Sequence, residues 1–134
     1  MDKSTYLCGI LITKLMDNSR KLVDTIVNAI QEKKGSGITI ADLRDIDGSI
    51  CNYFVICQGN SPSQINAIAE SVYIMAKKNL GEIPVHEAGL QNLQWVAIDY
   101  GDVVVHIFLP DVRQFYDLDN LWEDAKLEQI EDLD

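Results

Sequence analysis

The chain of 134 residues is the size of a single compact domain, and 47% of its residues are hydrophobic, which argues against a disordered protein. The formal net charge is −10 at pH 7, and most of it lies in residues 111–134, which carry nine acidic and two basic side chains. Such a chain gains little from contact with a phosphate backbone, so little or no direct nucleic-acid binding is expected. The acidic residues either serve solubility alone or attract a basic protein.

The longest apolar run near the start of the chain, residues 6–12, is much shorter than the roughly twenty residues of a membrane-spanning helix. We therefore expect a cytoplasmic protein with no membrane contact. The three cysteines and two histidines include no CxxC or HxxxH pair, the spacings typical of metal or redox sites. Reduced thiols, no metal site and no cofactor are expected.

Three regions are predicted along the chain. Residues 1–16 show no clear periodicity and are expected to be an N-terminal extension, either disordered or upstream of the true start, for which Met16 is a candidate. Residues 17–125 are expected to form the single folded domain. Residues 126–134 are expected to be an acidic C-terminal tail whose last positions fray.

The first predicted element is a helix within residues 16–37. One of the polar residues at positions 17–19 can cap its N-terminus, and the two lysines before Gly35 suit its C-terminus. Five apolar residues recur at helical spacing and predict the buried face. They are Leu22, Val23, Ile26, Val27 and Ile30.

Two strands and a second helix are predicted next. Residues 38–46 and 51–58 are rich in β-branched and aromatic residues and are separated by Asp-Gly, which predicts a strand pair. The helix has three start signals, with Ser61 as N-cap, Pro62 in the first turn and Gln64 completing a capping box. It is expected to end before Gly81, and a short extended piece is expected at residues 83–87.

Residues 95–110 predict a β-hairpin. With Tyr100 and Gly101 in the turn, Ile98 pairs with Val103 and Trp95 with His106. Because side chains alternate along a strand, one face is predicted to be core and the other a partly covered surface. The core face carries Val96, Ile98, Val103, Val105, Ile107 and Leu109, and the surface face carries Trp95, Ala97, Asp99, Asp102, Val104, His106 and Phe108.

This register places Asp99 and Asp102 directly opposite each other, which is unfavourable for two like charges. Three compensating factors are open: screening by solvent at the turn, a bound magnesium ion with a phosphate substrate, or lysine and arginine side chains of a partner. In the last case Trp95 would be the buried anchor, since tryptophan is enriched among interface hot spots. His106 is interpreted as structural rather than as a general base, because no orienting partner is evident.

The last predicted element is a helix within residues 111–125, in which Asp119 is a candidate cap. Four apolar residues fall on one face of this helix. They are Leu118, Leu121, Trp122 and Ala125.

Three blocks of sequence, in this order and spacing, strongly resemble the ribosomal silencing factor family, also called RsfS or Iojap-like, over residues 17–125. The blocks are 52-NYFVICQGNSPSQ-64, 95-WVAIDYGDVVVHIF-108 and 113-RQFYDLDNLW-122. The family tryptophan matches Trp95, and its DYGD turn matches residues 99–102. One position departs from the family pattern: Asn52 stands where aspartate is common, which further weakens the interpretation as a metal site.

The resemblance implies an α/β (α+β) domain with a mixed five-stranded sheet flanked by helices, similar to nucleotidyltransferases but without enzymatic activity. It also implies binding to the large ribosomal subunit through ribosomal protein L-fourteen, which keeps the small subunit from joining and lowers translation when nutrients are scarce. The partner-binding residues predicted for this function are Trp95, Asp99, Tyr100, Asp102 and His106.

Two alternatives remain open. A magnesium-dependent nucleotidyltransferase would use Asp99 and Asp102 as its carboxylates. A homodimer would use the same face of the hairpin.

Overall fold

The computed structural model describes residues 19–44, 51–116 and 126–132. The proposed extension at residues 1–16, the Asp47-Gly48 turn and the apolar face expected within residues 117–125 lie outside these ranges. Helix α1 covers residues 19–32 of the described chain. The other elements are β1 (Ser36–Asp42), β2 (Tyr53–Gln58), α2 (Pro62–Leu80), β3 (His86–Ala88), β4 (Trp95–Asp99), β5 (Val103–Phe108), α3 (Pro110–Tyr116) and β6 (Lys126–Gln129).

The strands form one mixed six-stranded sheet in the order β3-β4-β5-β2-β1-β6. The pair β2 and β5 is parallel, and the other pairs are antiparallel. The prediction of a mixed sheet with helices is confirmed, but the predicted count of five strands is wrong. Residues 126–129, which were assigned to the acidic tail, pair with β1 as its outer neighbour. The sheet therefore extends past the predicted domain boundary at residue 125.

The main core lies between one face of the sheet and helices α1 and α2. The whole predicted stripe of α1 is buried there, together with the apolar face of α2 and the inward side chains of four strands, β1, β2, β4 and β5. The Ser71 hydroxyl of α2 donates a hydrogen bond to the Ala29 carbonyl of α1 at 2.9 Å, which joins the two helices. We refer to this side of the sheet as the helical face.

The N-cap, the proline and the end signal of α2 are confirmed, but the capping box is not formed as predicted, because the Gln64 side chain accepts a hydrogen bond from the Asn60 N–H at 2.7 Å and not from that of Ser61. The Ser61 hydroxyl accepts a hydrogen bond from the Gln64 N–H at 3.2 Å, and Pro62 is the first residue of the helix. The Gln64 side chain also donates to the carbonyls of Lys33 and Lys34, which ties the start of α2 to the end of α1. Gly81 ends the helix with φ +66°, a conformation that glycine adopts at little cost.

A smaller apolar cluster lies on the opposite face of the sheet, which α3 partly covers. Trp95 and Val112 pack against this cluster. Its fully or nearly buried members are Ala41, Leu43, Cys51, Phe54, Ile56, Val104 and Phe108. We refer to this side as the aromatic face.

The predicted hairpin is confirmed, but its register is wrong by two residues. Trp95 pairs with Phe108 and Ala97 with His106. The turn residues are Gly101 and Asp102, because the Tyr100 N–H bonds to the Val103 carbonyl at 2.9 Å. Glycine at the first turn position accommodates the positive φ of +92° there. A shift of two residues leaves each side chain on its predicted face.

Candidate functional site

Trp95 lies at the start of β4 on the aromatic face. Its ring stacks on Phe108 with 5.0 Å between centroids, and Tyr116 of α3 lies 4.7 Å away on the same centroid measure. The residue is only partly buried, so part of the indole reaches solvent. Trp95 is thus fixed by a buried aromatic neighbour while it keeps an accessible surface.

His106 fixes the orientation of the indole. Its Nδ1 accepts a hydrogen bond from the Trp95 Nε1–H at 3.1 Å, so the ring nitrogen facing Trp95 carries no proton. Phe54 meets the imidazole edge-on at 5.0 Å, and among the described residues the buried Nε2 has no hydrogen-bond partner. Burial lowers the pKa of His106 to about 4, which keeps the ring neutral at pH 7.

The burial of His106 corrects the expectation that it faces a partner. The residue is 8% exposed because β5 is a central strand and both of its faces are covered. The residue holds the Trp95 indole through its hydrogen bond, and little of its own surface is accessible to another molecule.

Two exposed aromatic residues extend the surface around Trp95. Phe115 is 82% exposed and Tyr116 is 50% exposed, and their rings meet edge-on at 5.2 Å. We define the aromatic patch as Trp95, Phe115 and Tyr116. Sequence reasoning did not select the two α3 residues, although the adjacent Phe-Tyr pair in the third block that resembles the family, outside any apolar stripe, was an available signal.

Arg113 holds α3 on the aromatic face. Its guanidinium donates to the Gly37 carbonyl of β1, to the Thr39 hydroxyl at 3.2 Å and to the Gln58 side chain of β2 at 3.4 Å. Bonds to two strands fix the helix in position as well as in direction. The orientation of the aromatic patch therefore depends on an arginine that is anchored at the same end of the sheet, where Gln58 pairs with Phe108 and Phe108 with Trp95.

Asp99 and Asp102 are not directly opposite each other. Asp99 pairs with Val104, and its carboxylate accepts a hydrogen bond from the Gly101 N–H at 2.7 Å. The Asp102 carboxylate accepts one from the Ser19 hydroxyl of α1 at 2.5 Å, and Asn52 donates to the same hydroxyl at 3.2 Å. The predicted repulsion across the ladder is wrong, because Asp102 is a turn residue. Both carboxylates remain partly exposed.

No group of three histidine, cysteine, aspartate or glutamate residues with the arrangement of a metal site occurs within residues 19–44, 51–116 and 126–132. Over the same residues, no helix has the length and apolar character of a membrane span.

Tyr100 is on the helical face and not at the surface. The residue is 6% exposed and belongs to the main core, which corrects the expectation that it contacts a partner. Burial raises the pKa of its hydroxyl, with a smaller contribution from Glu87. In the described part of the chain this buried hydroxyl has no hydrogen-bond partner.

Replacing Tyr100 with phenylalanine is expected to raise the free energy of unfolding by about 1 kcal/mol, because a buried hydroxyl without a partner costs roughly 1–3 kcal/mol. Urea denaturation measures the change. Tyr53→Phe is the matched control, since the Tyr53 hydroxyl has a hydrogen bond with Arg20 and its removal should give no gain. Equal losses of stability in both variants would contradict this account of Tyr100.

The fold defines a small mixed α/β domain whose sheet carries two helices on one face and an aromatic patch on the other. Residues 16–134 match the model of the family described as ribosomal silencing factor during starvation, RsfS. The chain belongs to this family. The match reaches past residue 125, in agreement with the position of β6 inside the sheet.

Individual relatives agree with this assignment. The ribosomal silencing factor RsfS of Halalkalibacterium halodurans is 38% identical over 114 residues, which are 85% of this chain and 96% of the relative. A crystal structure of a protein from Chromobacterium violaceum has a TM-score of 0.74 and 33% identity, and it covers 80% of this chain and 88% of that one. A mouse protein named mitochondrial assembly of ribosomal large subunit protein 1 is 27% identical over 81% of this chain and 50% of its own length.

Proposed function

We propose that this protein binds the large ribosomal subunit through ribosomal protein L-fourteen and sterically blocks the small subunit from joining. Its effect is to lower translation when nutrients are limiting, and its place of action is the cytoplasm. Membership of the silencing-factor family, matched over residues 16–134, is the observation that carries the proposal. The mouse relative, whose name refers to the large subunit, gives further support.

The aromatic patch is the surface that we assign to this contact. Trp95 is held by Phe108 and His106, so little side-chain freedom is lost when a partner covers it. Phe115 and Tyr116 add exposed ring surface beside it. Asp99 lies further along the same face of β4 and supplies charge for a basic protein, while Asp102 does so from the adjoining turn.

Sedimentation of purified subunits tests the proposal. With the protein in excess over large subunits, it should co-sediment with them, and the peak of joined subunits should fall when small subunits are then added. The large-subunit peak should rise by the corresponding amount. A protein that remains at the top of the gradient, or joining that proceeds undiminished, would refute the proposal.

We also propose that the domain resembles nucleotidyltransferases in fold but has no catalytic activity. The internal hydrogen bonds of Asp99 and Asp102 support this, because both carboxylates already serve the turn and its contact with α1. The alternative is a magnesium-dependent enzyme that uses the same two residues. Calorimetry with nucleoside triphosphates and magnesium should give a flat titration at millimolar ligand, whereas saturable, magnesium-dependent heat would favour the enzyme.

A homodimer through the aromatic face is the remaining alternative. Light scattering at rising concentration should report a monomer if the patch is reserved for the ribosomal partner. A dimer that Trp95→Ala dissociates would favour self-association instead.

A further inference from the structure

Among the described residues, β3 forms an open edge of the sheet, beside the strand β4 that carries Trp95. All three residues of β3 are exposed, and β3 is the outermost strand beside β4. The Tyr100 N–H donates a hydrogen bond to the Val103 carbonyl of β5. Because successive residues of a strand direct their backbone hydrogen-bonding groups to opposite sides, the N–H and carbonyl groups of Ala97 and Asp99 point towards β3. Their partners in β3 are Ala88 and His86. The backbone N–H and carbonyl of Glu87 therefore point to the open side of the edge.

A groove of about 450 Å³ runs between β3 and α2 on the helical face. Glu87 pairs with Ile98, so its side chain lies on the same face of the sheet as that core residue. The groove thus adjoins the strand whose backbone groups are open. It is lined by Asn66, Ala69, Glu70, Tyr73, Glu87, Leu90 and Ile98.

The rim of this edge is unusually apolar for an exposed strand. Val85 is 73% exposed, Ile83 is 58% exposed, and Leu90 on the other side of β3 is also exposed. Short edge strands commonly avoid pairing through charge or proline, and here Pro84 and Glu87 provide some protection. Large aliphatic side chains on both sides of the edge are typical of a surface that a partner covers.

The charge of the groove defines the partner. Glu70 and Glu87 place two carboxylates in its lining, and Lys77 of the same helix lies over the Tyr73 ring. A second copy of this chain would bring the same carboxylates and a net charge of −10, which disfavours self-association at this edge. A polypeptide with lysine or arginine side chains has the complementary charge.

We propose that the open edge of β3 and the adjoining groove are a docking site for an extended, basic segment of a second polypeptide. The segment pairs with the Glu87 backbone as an added strand, places a cationic side chain between Glu70 and Glu87, and covers Val85 and Ile83 with apolar side chains. The groove is on the opposite face of the sheet from the aromatic patch, and the proposal does not rest on the proposed function.

An NMR titration of the full-length, ¹⁵N-labelled protein tests the site. The probe is a capped hexapeptide of alternating valine and lysine, and its charge-reversed control alternates valine and glutamate. The basic peptide should shift the amide signals of residues 85–88 and of Glu70 and Tyr73 in a saturable manner. Neutralising both carboxylates, with Glu70→Gln and Glu87→Gln, should weaken binding by about fivefold or more.

Two further variants separate charge from strand pairing. Glu87→Pro removes the outward N–H and should weaken binding more than Glu87→Gln, while the pairing of β3 with β4 is kept because that N–H is not used there. Asp111→Asn, in the exposed first turn of α3, removes one carboxylate charge outside the groove and should leave affinity unchanged. The double glutamine variant should still bind large subunits as the wild type does.

Four results would contradict the proposed docking site. Two concern the peptides: no shift of the amide signals of residues 85–88 with millimolar basic peptide, or equal binding of the glutamate peptide. The other two are shifts centred on the aromatic patch and concentration-dependent self-association that involves β3. If Glu87→Pro alters the overall spectrum, the comparison between the double glutamine variant and Asp111→Asn still decides the matter.

Discussion

Replacing Trp95 with alanine is expected to weaken binding to large ribosomal subunits by about 30-fold or more. The loss corresponds to about 2 kcal/mol, the cost typical of truncating a tryptophan hot spot. The indole combines an accessible surface with a fixed orientation, since Phe108 stacks beneath it and His106 accepts its N–H. Co-sedimentation at a series of subunit concentrations gives the affinity.

Two control variants separate the contact from the fold. Ile74→Ala truncates a more exposed apolar residue on α2, outside the aromatic patch, and should leave the affinity unchanged. Trp95→Phe keeps an aromatic ring on Phe108 but loses the bond to His106, and its affinity should fall between those of the wild type and the alanine variant. If a folded Trp95→Ala protein binds large subunits with the affinity of the wild type, Trp95 is not part of the binding surface.

Acid is expected to reduce the free energy of unfolding by about 3 kcal/mol between pH 7 and pH 4 through His106 alone. Burial lowers the folded-state pKa of His106 to about 4 from an ordinary value of 6.5. Within that window the unfolded chain binds a proton that the folded chain does not, so stability falls as the pH falls. Above the unfolded pKa the contribution is constant.

Protonation would also remove the acceptor for the Trp95 N–H, because both nitrogens of an imidazolium carry protons. The matched variant is His106→Asn, whose side-chain oxygen can accept that bond but does not titrate in this range. Urea denaturation across the pH series should show a smaller slope for the variant than for the wild type. Parallel slopes would contradict the assignment of the pH dependence to His106. The pKa of Asp42 is also lowered, mainly by its hydrogen bond with Arg44, so protonation of Asp42 reduces the free energy of unfolding only at a lower pH than protonation of His106 does.

Local signals in the sequence predicted most of the helical face. The stripe of α1 and the capped helix α2 depend on contacts between residues close in the chain, for which spacing and end residues are sufficient. The strand pair β1 and β2 was predicted on the same basis and is confirmed, and the structure shows that the pairing is antiparallel.

The hairpin shows where local reasoning failed. Its faces were predicted correctly, but the register depended on which residue takes the first turn position, and Gly101 rather than Tyr100 occupies it. The carboxylate pair that suggested a metal or a repulsive site was a consequence of that wrong register. An error of two residues kept the faces while it changed every cross-strand pair.

The remaining errors concern contacts between distant parts of the chain. Alternation along β5 does not reveal that β2 pairs with it in parallel and that α3 packs on its outer face, so the burial of His106 was missed. The strand β6 has four exposed residues and little apolar character, and only its pairing with β1 defines it. Sheet order is a property of the whole chain, and the sequence blocks contain no local signal for it.

Site-specific photo-crosslinking tests the central claim most directly. A benzophenone amino acid at position 115, beside Tyr116 in the aromatic patch, should crosslink to ribosomal protein L-fourteen when the protein is bound to large subunits. The same amino acid at position 74 on the helical side should not. Crosslinks to L-fourteen from position 74 but not from position 115 would contradict the account, and so would crosslinks from position 115 to a different large-subunit protein.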